Sequence, residues 1–316
     1  MQNKPRIGII GTGAMGGFYG LMLARGGHDV HFLLRSEYQA VVEKGITVHS
    51  MVHGDMTLKP VQAYRDVADM PACDWLLIGA KATANEELAP VIARAAADGA
   101  KVILLQNGLN NESLLRPLLP ENIHLIGGMC YVCLFREEPG VINHQFNGQV
   151  DLGYHSGPAD EAGAAAIISE AAELFKSSGI KSREMENVDA ARWHKLVWNL
   201  PFNGMHVVLN AGTRDLLGNP SSHQLIRDMM SEVLALAAAC GCEIPADYPD
   251  KLLYGTSKMP DYHASMYHDW LHKRPMELEL MYGEPLRIAA EMGVSMPKTE
   301  ALLALLEFIQ AGYLKD

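Results

Sequence analysis

Short, nearly continuous apolar runs alternate with helical patterns along the first third of the chain. The apolar runs lie at residues 6–11, 31–34, 75–78 and 102–105, and glycine or polar residues bound each of them. Residues 18–25 and 85–97 have helical periodicity instead. This alternation predicts a parallel sheet covered by helices. Strands without polar alternation predict that the sheet is buried on both faces.

The pattern changes after Gly140. Residues 141–153 have the composition of antiparallel strand and turn, residues 159–176 that of an alanine-rich helix, and residues 180–186 that of a last strand. From residue 188 the sequence is helical almost to its end, with loops predicted near residues 218–222 and 244–250. We therefore predict two domains, an α/β domain over residues 1–187 and an all-helical domain over residues 188–316.

A glycine-rich loop joins the first predicted strand to the first predicted helix. In a GxGxxG loop the first glycine permits a tight turn, the second lets the backbone approach a pyrophosphate, and the third lets helix and strand pack closely. The helix N-terminus that follows offers amide groups and partial positive charge to phosphates. This context predicts a Rossmann-type, doubly wound sheet that binds a dinucleotide. The predicted cofactor-binding residues of the loop are Gly11, Thr12, Gly13, Ala14, Met15 and Gly16.

The end of the second strand indicates which dinucleotide is bound. An acidic residue there would bind the ribose 2′-hydroxyl of NAD, whereas arginine accommodates the 2′-phosphate of NADP. Here Arg35 and Ser36 follow the strand, and Asp29 stands too early for the ribose role. A guanidinium presents several donors in one plane and so suits a phosphate. We predict NADPH as cofactor, with Arg35 as the main determinant and Ser36 as a helper.

Composition restricts the partners. The 316 residues carry 26 basic and 37 acidic side chains, a net charge of −11, which argues against a nucleic-acid partner. No apolar run approaches the roughly 20 residues needed to cross a bilayer, and the first strand begins too early for a signal peptide. We expect a cytoplasmic protein. A homodimer is kept open as its assembly state.

The cysteines and histidines do not predict a metal or redox centre. The five cysteines form no disulfide framework, and the CxxC of Cys130 and Cys133 lacks a second pair at zinc spacing. Three histidines, His263, His268 and His272, lie close in sequence, but no further ligands at a known metal spacing accompany them. No metal is predicted.

Several later motifs, in order and spacing, resemble those of the ketopantoate reductase family. Two of them close apolar strands, namely Gly79-Ala80-Lys81 and Leu105-Gln106-Asn107-Gly108. A KLxxNxxxN helix contains Lys195, Asn199 and Asn203, and Ser265-Met266 is followed by Arg274-Pro275-Met276-Glu277. With Gly283 and residues 293–297, the resemblance covers essentially the whole chain.

The resemblance implies reduction of ketopantoate to pantoate by NADPH, in a cleft between a Rossmann domain and a helical domain. It makes Lys195 the general acid that polarises the carbonyl. It makes Glu277 a contact of both the substrate and Lys195, with Glu279 as a nearby rival, and Ser265 a partner of the substrate carboxylate.

Positions in the predicted elements add the remaining site residues. Helical spacing places Asn199 and Asn203 on nearly the same face as Lys195, which suits a substrate with several polar groups. Asn107 and Lys81 follow strands at the edge where doubly wound sheets bind ligands. We expect Asn107 to orient the nicotinamide or ribose, and Lys81 to meet the cofactor or the substrate carboxylate.

The sequence also departs from the family pattern. Asn110 stands where glycine often follows the QNG motif, Met276 replaces a threonine, and Trp198 and Phe202 are bulky. Pro201 interrupts the lysine helix and is expected to bend it. These changes leave two alternatives to ketopantoate reduction. One is reduction of another small 2-oxo acid on the same scaffold, and the other is a non-catalytic NADPH sensor.

Overall fold

The computed structural model describes residues 4–314, which form two compact units. Among these residues, the first unit comprises 4–106 and 111–188, and the second comprises 107–110 and 189–314. The chain thus passes from the first unit into the second for four residues, returns, and enters it again at residue 189. The predicted domain ranges contain no such excursion.

The first unit contains ten strands and five α-helices among the described residues. The strands are β1 (Arg6–Ile10), β2 (Asp29–Leu33), β3 (Ile46–Ser50), β4 (Met56–Leu58), β5 (Ala63–Tyr64), β6 (Cys73–Ile78), β7 (Ala96–Leu104), β8 (His124–Glu138), β9 (Val141–Ser156) and β10 (Ser182–Glu184). The helices are α1 (Ala14–Arg25), α2 (Tyr38–Lys44), α3 (Asn85–Ala95), α4 (Asn111–Leu115) and α5 (Glu161–Ser177), with 3₁₀ turns at Ala82–Ala84 and Arg116–Leu118.

All ten strands belong to one mixed sheet, with the order β4-β3-β9-β8-β7-β6-β1-β2-β5 and with β10 beside β9. Strands β5, β2, β1, β6, β7 and β8 are parallel, whereas β8 and β9 form a long antiparallel ribbon. Successive side chains of β6 enter different cores. Trp75 and Leu77 pack in one hydrophobic cluster, and Leu76 and Ile78 pack in another. The prediction of a sheet buried on both faces is therefore confirmed.

The second unit is helical. Its elements are α6 (Val188–Leu209), α7 (Thr213–Gly218), α8 (Pro220–Ala239), α9 (Tyr248–Ser257), α10 (Ser265–Leu271), a π-helix (Glu279–Gly283), α11 (Glu284–Met292) and α12 (Pro297–Ala311). Helix α6 continues through Pro201. The loop predicted at residues 218–222 is reduced to Asn219, whose side chain caps α8. In the described residues, no helix has the length and apolar character needed to traverse a bilayer.

The sequence pattern missed the smaller elements of the sheet. It did not predict β3, β4, β5 or α2, whose short, mixed sequences obtain most of their order from neighbouring strands. It also missed β8, which includes the pair Gly127-Gly128 and pairs with β9 through four register shifts. The predicted fold class, a Rossmann-type sheet followed by a helical domain, is confirmed.

Candidate active site

Glycine is required at three points where β1, α1 and β6 meet. Gly11 has φ +85°, and a Cβ there would lie 2.3 Å from the backbone nitrogen of Ala80. A Cβ on Gly16 would lie 2.4 Å from the carbonyl oxygen of Gly11, and one on Gly79 would lie 2.7 Å from the nitrogen of Gly16. The three backbones therefore approach one another more closely than any side chain allows. The GxGxxG loop is thereby fixed at the carboxyl end of β1.

Gly13 has the opposite surroundings. No heavy atom lies within 4 Å of the position that a Cβ would occupy on Gly13. Gly13 is the residue before α1, and no side chain caps that helix. The open space and the amide groups of the first helical turn fit a pyrophosphate, whose charge a helix N-terminus stabilises. The loop therefore suits a dinucleotide.

The acidic residue that follows β2 is buried and paired, whereas the two residues before it are exposed. Thr12 Oγ1 donates to the carbonyl oxygen of Leu33 at 3.2 Å, which joins the glycine loop to the end of β2. Arg35 and Ser36 follow and are exposed. Glu37 is buried, where its carboxylate contacts Arg136 and accepts a hydrogen bond from the backbone N–H of Gly140 at 3.0 Å. The exposed groups at this turn are thus cationic or neutral.

A buried pair of amides connects the ends of β6 and β7. Gln106 Nε2 donates to Asn85 Oδ1 at 2.7 Å and to the Ala80 carbonyl oxygen at 3.0 Å, and Asn85 Nδ2 donates back to Gln106 Oε1 at 3.2 Å. This pair fixes the backbone just before Lys81, which is half-buried at the start of a 3₁₀ turn. Sequence reasoning missed Asn85, because a polar residue at a helix start is ordinary.

Helix α6 carries Lys195, Asn199 and Asn203, one turn apart. Lys195 is half-buried, and both asparagines are buried. Asn203 Nδ2 donates to the carbonyl oxygen of Asn199 at 2.9 Å, while Asn203 Oδ1 accepts from the Met266 N–H at 3.3 Å and from Ser265 Oγ at 3.5 Å. The structure therefore brings Asn203 and Ser265 together. Asn203 holds the start of α10, and Ser265 itself is exposed.

Two histidines, the buried His206 and the half-buried His268, adjoin this asparagine–serine contact. Burial lowers the pKa of His206 to about 3, and its Nδ1 accepts a hydrogen bond from the Ala264 N–H at 2.7 Å. Burial also lowers the pKa of His268 to about 4, with the nearby His263 as the next cause. Both imidazoles are neutral at pH 7, so they add hydrogen-bonding groups near Ser265 but no charge. Within residues 4–314, no cluster of three or more His, Cys, Asp or Glu side chains could hold a metal ion.

Glu277 lies in a segment without regular secondary structure just before the π-helix and is half-buried. The residues just before Glu277 are held by hydrogen bonds to helix α12 and to the segment that follows α12. The Met276 N–H donates to Gln310 Oε1 at 2.7 Å, and Tyr313 Oη donates to the carbonyl oxygen of Arg274 at 3.0 Å. Glu279 is exposed, and its carboxylate lies against the backbone of Gly283. The two rival glutamates therefore occupy different surroundings.

Residues 107–110 are attached to the elements that carry Lys195 and Glu277. Arg192, one turn before Lys195 on α6, donates to the Gly108 carbonyl oxygen at 3.0 Å. The Leu109 N–H donates to the carbonyl oxygen of Leu280 in the π-helix at 3.2 Å. Asn110 Nδ2 donates to Glu284 Oε1 at 2.6 Å. These bonds explain why the segment belongs to the second unit, and they place Asn107 there with Lys195 and Glu277.

Asn110 supplies an anchor that glycine would lack. Its φ of +57° is left-handed, a conformation that glycine and asparagine adopt most easily. Its partner Glu284 is buried, and the hydrogen bonds from Arg287 and then from Asn110 hold the pKa of that carboxyl below its usual value. The departure from the family's glycine at this position is therefore a gain of one hydrogen bond to a buried carboxylate.

Replacing Asn110 by glycine tests what this anchor does. We expect Asn110→Gly to lower kcat/KM for the NADPH-dependent reduction expected from the sequence about three- to tenfold. The reason is that losing a hydrogen bond to a charged group loosens the segment that contains Asn107. Thermal unfolding should change little, since relief of the left-handed conformation offsets the lost bond. The matched control is Asn147→Gly in the first unit, which also has positive φ (+62°). A kcat/KM equal to that of the unaltered protein would leave the anchor without a role in catalysis.

Known proteins match the chain along almost its whole length. The family model described as ketopantoate reductase PanE/ApbA matches residues 7–157, and the model of its C-terminal region matches residues 187–310. A 2-dehydropantoate 2-reductase from Nostoc sp. is 38% identical over 308 residues, 98% of this chain and 96% of that protein.

Two solved structures share both sequence and fold with it. The 2-dehydropantoate 2-reductase from Geobacter metallireducens has a TM-score of 0.89 at 38% identity, covering 96% of this chain and 99% of that one. The corresponding enzyme from Methylococcus capsulatus has a TM-score of 0.85 at 32% identity, covering 98% of each chain.

Proposed function

Because the chain belongs to the ketopantoate reductase family, we propose that it reduces 2-dehydropantoate to pantoate with NADPH, a step in pantothenate biosynthesis. The observation that carries the proposal is the 38% identity to a 2-dehydropantoate 2-reductase over 98% of this chain. The open cradle at Gly13 and the exposed Arg35 support a phosphorylated dinucleotide as cofactor. When bound, NADPH supplies the hydride that reduces the carbonyl carbon of the substrate.

Lys195 is the proton donor in this proposal. Negative charge develops on the substrate's carbonyl oxygen during reduction, and an ammonium group aimed at that oxygen stabilises the charge. Its proton then completes the hydroxyl group of the product. The half-buried position of Lys195 limits the water that would compete for these bonds. Helix α6 fixes its backbone, and Asn199 is one turn further along the same helix.

The other polar groups orient the substrate. Ser265 Oγ, held by Asn203, is assigned to the substrate carboxylate, and Asn199 to a polar group of the substrate. Asn203 makes three hydrogen bonds inside the protein, so its role in this proposal includes positioning Ser265. Asn107 orients the nicotinamide or ribose, and Lys81 meets the cofactor or the carboxylate.

Glu277 accepts a hydrogen bond from the substrate and holds the ammonium of Lys195. We expect Glu277→Gln to lower kcat/KM about 10- to 100-fold, because a bond to a charged group is worth roughly 1.5–3 kcal/mol. The matched control is Glu279→Gln, two residues away and exposed, which should leave kcat/KM nearly unchanged. Steady-state kinetics on both variants decide between the two glutamates. A larger loss for the Glu279 variant would transfer the role to that residue.

The decisive experiment on the reaction follows NADPH oxidation by absorbance, with ketopantoate as substrate. NADH and a panel of other 2-oxo acids are run beside it. We expect the highest kcat/KM for ketopantoate with NADPH. If another oxo acid gives a higher kcat/KM, the proposed mechanism would stand and the proposed substrate would be wrong. If NADPH binds but no oxo acid is turned over, the protein would be a non-catalytic NADPH sensor and not an enzyme.

Location and assembly complete the proposal. We assign the protein to the cytoplasm and propose that it forms a homodimer. Helix α12 supports the homodimer, since Leu305 and Phe308 on it are 50% and 81% exposed. Sedimentation equilibrium measures the assembly directly, and a monomer mass at micromolar concentration would remove the homodimer.

A further inference from the structure

We propose that Arg65 is a second determinant of the 2′-phosphate of NADPH, held beside Arg35 by the ring of Tyr38. The inference rests on the proposed cofactor and deepens it, since the sequence pattern singled out Arg35 and Ser36 but gave no reason to consider Arg65. It follows from the pairing of β5 with β2, which brings two distant segments of the chain to one edge of the sheet.

The strand register places the two arginines at neighbouring chain ends. Strand β5 is parallel to β2, with Leu33 opposite Tyr64, and the Leu34 N–H donates to the Tyr64 carbonyl oxygen at 2.9 Å. Arg65 is the first residue after β5, and Arg35 is the second residue after β2. Because the strands are parallel, both arginines leave the sheet at its carboxyl edge, where doubly wound sheets bind ligands.

Tyr38 gives Arg65 a fixed place on this edge. The guanidinium carbon of Arg65 lies over the Tyr38 ring, 5.7 Å from its centroid, within the range of a cation–π contact. Tyr38 also packs against the main hydrophobic core of the first unit. Its backbone N–H approaches the carbonyl oxygen of Arg35 at 3.4 Å. The ring thus connects the turn that carries Arg35 to the side chain of Arg65.

Neither guanidinium group is paired with an acidic side chain among the described residues. Arg35 and Arg65 are both exposed, and within residues 4–314 neither side chain forms a hydrogen bond or an ion pair. The acidic residue nearest in sequence to Arg35, Glu37, is bound to Arg136 and to the Gly140 N–H. Asp66, next to Arg65, accepts a hydrogen bond from the Ala68 N–H at 2.8 Å. Two unpaired planar cations at one edge match a phosphate, which accepts several bonds from guanidinium groups.

The test compares NADPH with NADH, which differ only by the 2′-phosphate. Dissociation constants are measured by fluorescence titration for the unaltered protein, Arg65→Gln and Arg35→Gln. We expect Arg65→Gln to weaken NADPH binding about tenfold, as for loss of one hydrogen bond between charged groups, and to change NADH binding less than about twofold. The matched control is Arg183→Gln. Arg183 is an exposed arginine on β10, which pairs with β9, six places from β5 in the strand order, and its replacement should change the binding of neither dinucleotide.

A second pair of variants tests the role of the ring. Tyr38→Phe keeps an aromatic face and should retain the preference for NADPH. In Tyr38→Leu, the ratio of the NADH to the NADPH dissociation constant should fall about two- to fivefold. Equal losses for NADPH and NADH in Arg65→Gln, or no loss for either, would overturn the proposal. Because these measurements require no turnover, a protein that binds NADPH but fails to reduce ketopantoate would refute the proposed reaction alone.

Discussion

Replacing Lys195 by alanine is expected to lower kcat for NADPH-dependent ketopantoate reduction by roughly 10²–10⁴-fold, the range for loss of a positioned general acid. KM for ketopantoate should change much less. The bond from the ammonium group to the carbonyl oxygen strengthens as that oxygen gains charge, so its loss affects the transition state more than the bound substrate. Steady-state kinetics with both substrates varied measure this separation.

Two further variants make the interpretation of the Lys195 result specific. Lys195→Arg keeps the positive charge but replaces the ammonium by a guanidinium that does not release a proton near neutral pH, so most of the loss should persist. Lys251→Ala removes a lysine of the same unit that is 66% exposed and paired with Asp247, and it should leave kcat unchanged. A kcat for Lys195→Ala equal to that of the unaltered protein would exclude Lys195 as the proton donor.

Replacing Gly13 by alanine is expected to weaken NADPH binding about 10- to 100-fold, as for inserting a methyl group into a filled site at roughly 1–3 kcal/mol. The stability of the protein without cofactor should be unchanged. A Cβ at Gly13 meets no heavy atom of the protein within 4 Å, and the φ of −78° suits any residue. The methyl group would instead occupy the space through which the backbone meets the pyrophosphate. Fluorescence titration and thermal unfolding measure the two quantities.

Two other glycines serve as controls for Gly13. Gly255→Ala, also open at its Cβ but inside α9, should keep the NADPH affinity and raise the stability slightly, by up to about 1 kcal/mol. Gly16→Ala should destabilise the protein itself, because its Cβ would lie 2.4 Å from the Gly11 carbonyl oxygen. If Gly13→Ala bound NADPH as tightly as the unaltered protein, the pyrophosphate would not lie against Gly13.

The sequence by itself determined the features that depend on neighbouring residues. Continuous apolar runs such as β6 specify buried strands. Their side chains point alternately to the two faces of the sheet, and each face packs against its own hydrophobic core. The order of strand, glycine loop and helix at Gly11–Gly16 specifies the tight turn and the close packing found there, because both arise within a few residues. The helical spacing of Lys195, Asn199 and Asn203 likewise follows from one continuous helix, which Pro201 does not end.

Only the tertiary structure decided which of these groups meet distant partners. Asn110 reaches Glu284 across 174 positions, Glu37 reaches Arg136 across 99, and Asn203 reaches Ser265 across 62. These contacts assign residues 107–110 to the second unit, bury Glu37 against Arg136, and give Asn203 a partner. Local periodicity specifies which side of its own helix or strand a residue faces. The partner it meets there depends on how all elements pack together, and that packing is a property of the whole chain.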